Sequence, residues 1–283
     1  MSSVSTLLRQ GQIALAESSS PLIDVQILLC HVLEVDRSYL YMAPEETVPA
    51  IQENEFRTLI AQRQIGTPIS HLTGRRDFWS LNLKVNEHTL IPRPETEHLV
   101  EAALSIIQKG QVSRIADLGT GSGAIALAIG NEIESSFPRC QIIATDISEE
   151  ALLIAAENLK TSKLKNVSLK QGRWCEAFDA DAKFDLIVSN PPYVAEGHHL
   201  LDEGDVRFEP QLALTSGRDG LDAIREIIQT APDNMQPNAW LMFEHGYDQK
   251  QAIQQLFLQR GFQAIETTQD YANLDRVTIG QWP

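Results

Sequence analysis

The sequence predicts an α/β protein built on a mostly parallel sheet, preceded by a small helical bundle and a linking β-hairpin. From residue 95 onward, strand patterns alternate with helical patterns, which is typical of a parallel sheet covered on both faces. Only "QDYANLD" separates the last two strand patterns, so we expect an antiparallel hairpin at one edge. The first 65 or so residues show helical spacing alone.

The helical start of the chain, residues 1–73, is predicted to be a substrate-recognition domain. "VSTLLRQGQIALAE" has apolar residues at helical spacing, and Pro21 and Pro49 suit the openings of two further helices. A packing or dimerisation module without chemistry would show the same pattern. Of the two interpretations, we favour a module that binds a partner.

Residues 74–92 are predicted to link this domain to a third region, 93–283, which carries the strand–helix alternation. "WSLNLKV" alternates strictly between apolar and polar residues, so we expect a half-buried strand from Trp79 to Val85. Its hairpin is expected to turn at "NEH", residues 86–88.

Composition narrows the class of partner. The 283 residues carry a net charge of −15, with 7 Lys/Arg against 10 Asp/Glu in residues 1–90 and 16 against 28 in the remainder. An acidic body repels phosphate backbones, which disfavours a free nucleic-acid substrate and favours a protein or small molecule. No apolar run reaches the roughly 18–20 residues of a membrane span, and no secretion signal opens the chain. We predict a cytoplasmic monomer.

Neither cysteines nor histidines point to a reactive or metal centre. Cys30, Cys140 and Cys175 lie far apart with no C-x-x-C pair, so we expect three reduced thiols that fill space. The seven histidines show no ligand spacing, and no metal site is predicted.

"ADLGTGSGAIALAIG" combines a strand, a glycine turn and a helix start. Gly119, Gly121 and Gly123 let the backbone turn tightly and approach a ligand, which indicates a nucleotide-like molecule. The same spacing satisfies the dinucleotide fingerprint, so an oxidoreductase stays open on this loop alone. Because no G-K-[ST] lysine follows, the phosphate-free cofactor S-adenosylmethionine fits better than NAD.

Two acids flank this loop. Asp146 ends the next strand, where it can accept from ribose hydroxyls or cap the helix expected at Ser148. Asp117 precedes the glycines, where it can hold the loop or accept a hydrogen bond from a cationic amine of the ligand.

"SNPPY" follows the apolar strand "FDLIV" and forms a stiff bracket. Pro191 and Pro192 fix the turn and hold Asn190 extended. The Asn190 amide oxygen and the Pro191 carbonyl can accept both hydrogens of an NH₂ group, and Tyr193 offers a flat face to a planar substrate. The pattern therefore predicts methylation of a planar NH₂ nitrogen, although "NPPY" alone is also compatible with a tight turn over a packed tyrosine.

These motifs, "DLGTGSG", "TD" and "NPPY", resemble the class I S-adenosylmethionine-dependent amino-methyltransferases, whose fold is Rossmann-like. Over essentially the whole chain, "IPRPETE" (91–97), "GDVRFEPQLAL" (204–214) and "FEHG" (243–246) resemble the release-factor glutamine N5-methyltransferase family, called HemK or PrmC.

The resemblance implies a reaction and a set of site residues. The substrate would be the glutamine of the Gly-Gly-Gln motif of class I peptide-chain release factors, and the products N5-methylglutamine and S-adenosylhomocysteine. The N-terminal helices would help to bind the release factor. The implied cofactor-binding residues are Asp117, Gly119, Thr120, Gly121, Ser122, Gly123, Asp146, Trp174 and Asn190. The implied substrate-binding residues are Arg93, Glu95, Asn190, Pro191, Pro192 and Tyr193, of which Asn190, Pro191 and Tyr193 are assigned to catalysis.

Three assignments have competing explanations. Arg93 and Glu95 border the substrate pocket by resemblance, yet a charged first helical turn would explain them equally. For Arg207 and Glu209 we favour an internal ion pair that orders a loop over a catalytic role. Arg173 stands where the family usually has an acid that accepts from adenine, and arginine offers no acceptor.

Two other functions remain as alternatives. A nucleic-acid amino-methyltransferase acting on adenine N6 or guanine N2 would use the same "NPPY" bracket, but it needs an electropositive channel. A non-enzymatic adaptor would bind the cofactor and use the helical module to recognise its partner.

Overall fold

Five helices form most of the first of two structural units. A computed structural model describes residues 1–110 and 112–283. The first unit comprises Met1–Arg75 with Asp202–Phe208, and the second comprises Arg76–Leu201 with Glu209–Pro283. The helices of the first unit are α1 (Val4–Ala14), α2 (Pro21–Leu33), α3 (Arg37–Met42), α4 (Ala50–Gln64) and α5 (Ile69–Thr73).

Small and apolar residues bring these helices together. Ser3 caps α1 by accepting a hydrogen bond from the Thr6 N–H at 3.3 Å. Gly11 allows α1 to approach α2, because a Cβ atom there would lie 2.8 Å from the Val25 side chain. Leu28 and Phe56 are among the fully buried side chains of the resulting core. The core is thus built from the helical faces that the apolar spacing predicts.

The short segment Asp202–Phe208 belongs to this unit through two arginines. Arg63 on α4 pairs with Asp205 at 3.0 Å and with Asp24 at 2.9 Å. Arg207 donates to the Ile65 carbonyl at 2.9 Å. Within this unit, Arg207 is thus held by the backbone of the residue that follows α4, and the expected ion pair between Arg207 and Glu209 stays a prediction.

A two-stranded sheet of β1 (Arg75–Phe78) and β2 (Leu81–Lys84) follows α5. The hairpin turns at Trp79 and Ser80, so the expected turn at residues 86–88 is wrong. Trp79 has a φ of 56°, a left-handed conformation that ends a strand, and Glu97 Oε1 accepts from its backbone N–H at 2.8 Å. The alternation marked one face of a strand correctly but did not reveal this turn.

The second unit contains a seven-stranded sheet with helices on both faces. Its strands are β3 (Arg114–Leu118), β4 (Gln141–Asp146), β5 (Val167–Gln171), β6 (Phe184–Ser189), β7 (Met235–Glu244), β8 (Gln263–Gln269) and β9 (Asp275–Gln281). Its helices are α6 (Glu97–Lys109), α7 (Ala124–Ile133), α8 (Glu149–Ser162), α9 (Asp222–Thr230) and α10 (Lys250–Arg260).

The strand order is β5-β4-β3-β6-β7-β9-β8. Strands β3 to β7 pair in parallel, while β9 is antiparallel to both β7 and β8. The predicted fold class is therefore confirmed, including the antiparallel edge hairpin. Two apolar clusters cover the sheet, one centred on α6 and α7 and the other on α9 and α10.

The strand order places a topological switch point between β3 and β6. The chain runs outward from β3 to β5 and then returns to β6 on the other side of β3. Leu118 at the end of β3 pairs with Thr145 of β4 and with Ser189 of β6, so these three strands end level. Ligands of open α/β sheets bind at such a point, beyond the carboxyl ends of the strands.

Within residues 1–110 and 112–283, no helix combines the length and apolar character that crossing a membrane requires. Cys30, Cys140 and Cys175 are free thiols, and burial raises the pKa of Cys140 to about 11. In the same part of the chain, no three His, Cys, Asp or Glu side chains are arranged to hold a metal ion.

Candidate active site

The glycine loop between β3 and α7 has a left-handed backbone at all three glycines. The φ angles of Gly119, Gly121 and Gly123 are 71°, 56° and 86°. A Cβ atom on Gly119 would lie 3.0 Å from the Trp174 ring, whereas one on Gly121 would meet no atom within 4 Å. The backbone at Gly121 therefore borders open space that a ligand can approach closely.

Asp117 lies beneath this loop and is fully buried. Its Oδ2 atom accepts from the Thr120 hydroxyl at 2.7 Å and from the Ala126 N–H at 3.2 Å. Among the described residues, its Oδ1 atom has no hydrogen-bond partner. Burial raises the pKa of Asp117 to about 7, although the two hydrogen bonds oppose the rise. Asp117 thus holds the loop and retains one free acceptor.

Asp146 connects the end of β4 to both the loop and the next helix. Its Oδ2 atom accepts from the Gly121 N–H at 2.8 Å, and its Oδ1 atom accepts from the Ser148 N–H at 2.9 Å. Ser148 itself is the N-cap of α8 and accepts from the Ala151 N–H at 3.1 Å. Asp146 therefore supports the cap without being the cap residue.

The segment after β5 closes another side of the site. Gly172 donates its N–H to the Asp146 carbonyl at 2.9 Å, and Trp174 begins a short 3₁₀ helix with a φ of 46°. Arg173 forms a two-pronged ion pair with Glu226 of α9, with Nε donating to Oε1 at 2.7 Å. Arg173, which stands where the family usually has an acid, is thus paired with a carboxylate of α9.

The "NPPY" bracket follows β6 at the switch point. Asn190 donates its Nδ2 hydrogen to the Thr96 hydroxyl at 3.2 Å. The Tyr193 hydroxyl donates to Glu244 Oε1 at 3.2 Å, and burial together with the Glu244 charge raises the pKa of the Tyr193 phenol. Pro191 is buried, and Pro192 is half-buried. Hydrogen bonds therefore connect Asn190 of the bracket to Thr96, before α6, and Tyr193 to Glu244 of β7.

Arg93 and Glu209 join two loops beside the bracket. The Arg93 guanidinium donates to Glu209 Oε1 at 2.5 Å, and the Ile91 N–H donates to Oε2 at 3.2 Å. The Glu209 side chain is fully buried, whereas 29% of the Arg93 side chain is exposed. The ion pair that orders the loop therefore links "IPRPETE" to "RFEP".

A cavity of about 380 Å³ lies between these elements. The structure brings part of the predicted site to its wall: Gly119, Thr120, Gly121, Ser122, Asp146, Trp174, Asn190 and Pro192. The remaining predicted residues do not line the cavity: Arg93, Glu95, Asp117, Gly123, Pro191 and Tyr193. Two of these six bond to a wall residue: Asp117 accepts from the Thr120 hydroxyl, and the Gly123 N–H donates to the Thr120 carbonyl.

Several wall residues were not predicted from the sequence. Thr96 and the loop containing Pro210, Thr215 and Ser216 line the cavity, and Val194 pairs with Thr215 in an isolated bridge after the bracket. A loop far along the chain is therefore folded back over the site. The motif "GDVRFEPQLAL" contains part of this loop and carried the family resemblance, but the loop has no regular apolar period that would place it over the cavity.

Comparison with known proteins agrees with this geometry. Residues 6–74 match the family model described as the PrmC N-terminal domain, and residues 110–274 match a methyltransferase domain. The fold and the matched domain together define a class I methyltransferase. The chain belongs to the family of release factor glutamine methyltransferases, because its curated relatives of that name are similar over almost their full length.

Two relatives and one solved structure illustrate the similarity. A release factor glutamine methyltransferase of Aliivibrio fischeri is 44% identical over 99% of this chain and 98% of its own length. One from Xylella fastidiosa (strain Temecula1) is 46% identical over 92% of this chain and 93% of its own. The crystal structure of a methyltransferase from Pyrococcus furiosus matches with a TM-score of 0.52 at 16% identity, covering 80% of this chain and 96% of that one, and supports the fold alone.

Proposed function

We propose that the protein transfers a methyl group from S-adenosylmethionine to the side-chain amide nitrogen of the glutamine in the Gly-Gly-Gln motif of class I release factors. The products are N5-methylglutamine and S-adenosylhomocysteine, and the modified proteins act in translation termination. The observation that carries this proposal is that Asn190 and the glycine loop line one cavity. The names of the curated relatives support the choice of substrate.

The glycine end of the cavity fits this cofactor. When bound, S-adenosylmethionine supplies a methyl group on a positively charged sulfur. We infer that Gly119 to Ser122 hold its amino-acid part, and that the buried Asp117 keeps this stretch in place through the Thr120 hydroxyl. Asp146 lies where ribose hydroxyls can reach its carboxylate, and Trp174 lies beside the glycine loop.

The bracket acts on the substrate amide. A carboxamide nitrogen is a poor nucleophile because its lone pair is delocalised into the carbonyl group. We infer that Asn190 Oδ1 and the Pro191 carbonyl accept both of its hydrogens, which fixes the nitrogen in one position and removes much of the bimolecular penalty. Uncharged acceptors also stabilise positive charge that develops on nitrogen, so no base has to remove a proton beforehand.

The first unit is proposed to bind the release factor. Its surface carries exposed apolar side chains, among them Ile23 on α2 at 50% exposure and Met42 on α3 at 81%. Where exposed apolar side chains form one contiguous patch, that patch is typical of a protein-binding surface. The cytoplasmic location and the monomeric state stay predictions.

Mass spectrometry tests the proposed reaction. The protein is incubated with S-adenosylmethionine and a purified class I release factor, and the peptide containing Gly-Gly-Gln is isolated by digestion. We expect this peptide to gain one methylene in mass, with fragmentation placing the gain on glutamine. An unchanged peptide, or labelled methyl groups found in RNA or DNA instead, would refute the assignment.

A further inference from the structure

The motif "FEHG" (243–246) spans the end of β7 and is followed by a glutamine whose side chain joins three backbone groups. Gln249, the residue before α10, accepts from the Gly246 N–H through Oε1 at 2.9 Å. Its Nε2 atom donates to the Tyr193 carbonyl at 3.0 Å and to the Asp219 carbonyl at 3.4 Å. One side chain outside the cavity wall therefore connects the bracket, the loop before α9 and the end of β7.

These backbone partners decide which way round the Gln249 amide lies. The oxygen and nitrogen of an amide are nearly alike in shape, so packing alone does not separate the two orientations. A backbone N–H can only donate, and a backbone carbonyl can only accept. The reversed amide would place its NH₂ group against the Gly246 N–H and its oxygen against two carbonyl oxygens. The Nε2 atom of Gln249 therefore donates to Tyr193 and Asp219, whatever the protonation of nearby carboxyl groups.

Gly246 is itself held in place from the sheet. Its carbonyl accepts from the Gln249 N–H at 3.0 Å and lies 2.8 Å from His245 Nδ1, which must donate because a carbonyl can only accept. His245 is fully buried, and its Nε2 atom lies 2.8 Å from the Thr278 hydroxyl of β9. Strands β7 and β9 are neighbours in the sheet. Both of them thus support the residue to which the Gln249 side chain is bonded.

The bracket needs an anchor beyond its two prolines. Pro191 and Pro192 have no N–H, so neither can donate a backbone hydrogen bond. The Tyr193 carbonyl follows directly and is bonded to Gln249. The packing here is close, because a Cβ atom on Gly220 would lie 2.2 Å from the Tyr193 carbonyl oxygen and 2.9 Å from Gln249 Nε2. The backbone of the prolines is therefore held from the Tyr193 end.

We propose that Gln249 is a positioning residue that holds the Tyr193 backbone and thereby fixes the direction of the Pro191 carbonyl. The inference rests on the proposed function, in which that carbonyl accepts one hydrogen of the glutamine NH₂ group. A displacement of about 1 Å at a reacting centre can cost about 10²-fold in rate, even when the altered residue lies away from the chemistry. The segment after β7 therefore contributes to turnover without lining the cavity.

Methylation kinetics with a Gly-Gly-Gln peptide test this role through Gln249→Glu. The variant keeps the shape and still accepts from the Gly246 N–H, but its ionised carboxylate cannot donate and faces two carbonyl oxygens. Well above the pKa of the introduced carboxyl, we expect kcat to lie at least about 10-fold below that of the wild type. As the pH falls, the carboxyl gains a hydrogen that it can donate to Tyr193. The ratio of variant to wild-type kcat should then rise toward one.

Taking this ratio at each pH separates the introduced carboxyl from the charged and titratable groups around it, since both proteins contain them. These groups are Asp248 and Lys250 beside Gln249, Asp219 and Arg225 before and on α9, Tyr193 of the bracket, Glu244 and His245 at the end of β7, and Asp275 and Arg276 on β9. Gln249→Met keeps the shape without the hydrogen bonds. It should lower kcat by a factor that does not change with pH.

Gln254→Glu is the matched control, the same substitution within α10. Gln254 is half-buried like Gln249, and its Nε2 atom donates at 2.9 Å to the Thr267 hydroxyl, which can donate in return to a carboxylate. This variant should keep wild-type kcat at every pH. Rates are compared per folded enzyme, with folding checked by circular dichroism. The proposal is overturned if Gln249→Glu behaves like the control, or if its ratio to the wild type stays constant as the pH falls.

A measurement on the wild type keeps the test independent of variant folding. In an NMR spectrum, the side-chain NH₂ protons of Gln249 should show a nuclear Overhauser effect to the Hα protons of Gly220, and its absence would overturn the proposal. The two proposals fail separately. A wild type that leaves the Gly-Gly-Gln peptide unmodified refutes the proposed function, whereas an active wild type with equally active Gln249→Glu and Gln249→Met variants refutes the role of Gln249 alone.

Discussion

Asp146 Oδ2 accepts a hydrogen bond of 2.8 Å from the backbone N–H of Gly121, which ties the end of β4 to the middle of the glycine loop. Gly121 has no side chain of its own that could hold the middle of the loop. A carboxylate on the neighbouring strand therefore fixes the backbone that borders the cavity. The same carboxylate accepts from Ser148 and so couples the loop to the start of α8.

Replacing Asp146 with alanine should weaken binding of the cofactor product. The change removes hydrogen bonds between a charged acceptor and two backbone N–H groups, and each such bond contributes about 1.5–3 kcal/mol. We expect the affinity for S-adenosylhomocysteine, measured by calorimetry, to fall at least about 10-fold. Asp185→Ala is the control, because Asp185 accepts from the Ser113 and Arg114 N–H groups at the opposite end of the sheet. Equal losses of affinity in the two variants would contradict the prediction.

Asn190→Ala should lower kcat for the Gly-Gly-Gln peptide by about 10²-fold or more, on the scale of losing one preorganised polar group. Asn190 directly follows β6, and its side chain bonds to Thr96. We therefore expect kcat to fall more than the free energy of unfolding. Asn131→Ala is a suitable comparison, because Asn131 is an exposed residue of α7 that bonds to Ser80 at 3.3 Å. Methylation that survives in the Asn190 variant would show that the bracket is not the active site.

A Gly-Gly-Glu peptide should be a very poor substrate. Its carboxylate would face the Asn190 oxygen and the Pro191 carbonyl, two acceptors, with no hydrogen to give. Sites built to bind a donor reject analogues that lack it by about 10⁴-fold or more. Rates of methyl transfer to matched Gln and Glu peptides give this ratio directly. Comparable rates would mean that the two acceptors do not hold the substrate.

The sequence predicted the sheet because its strands and helices have strong, separate periods. The glycine loop, Asp146 and Asn190 could be placed near each other from one rule, namely that strand ends converge at the switch point. Their presence around one cavity follows from the level ends of β3, β4 and β6. Local pattern and fold topology were sufficient for these residues.

Long-range side-chain pairing could not be read in this way. Glu209 pairs with Arg93 across 116 positions, a partner that the sequence analysis did not name. The sequence offers several arginines that could satisfy the charge of Glu209, and only the three-dimensional path of the loops brings Arg93 to it. The turn at Trp79 escaped prediction for a related reason, since Glu97 stabilises its backbone from a separate helix.

Arg93→Ala should reduce the free energy of unfolding strongly. Glu209 is fully buried, so the substitution leaves its charge without its arginine partner, a change that costs about 3–5 kcal/mol in buried pairs. Arg225→Ala is the control, because Arg225 pairs with Asp219 and Asp222 on an exposed surface, where such pairs contribute less than about 1 kcal/mol. Urea denaturation measures both values. Equal effects would contradict a buried, essential pair.

The free energy of unfolding should depend on pH through the titration of Asp117. Burial disfavours its charge and raises its pKa in the folded protein to about 7 from the ordinary value of 3.8. Between these two values the folded state binds more protons than the unfolded state, so the free energy of unfolding should fall as pH rises, by up to about 1.4 kcal/mol per pH unit. Asp117→Asn removes this titration while keeping the shape of the side chain.

The difference in unfolding free energy between Asp117→Asn and the wild type isolates this contribution from all other titrating groups. We expect the difference to move in favour of the variant from about pH 4 to about pH 7, over the interval between the two pKa values, and to level off above it. Urea denaturation without cofactor, repeated at unit steps of pH, provides the curve. A difference that is constant with pH would show that Asp117 titrates normally and that its free oxygen is not held in a low-dielectric site.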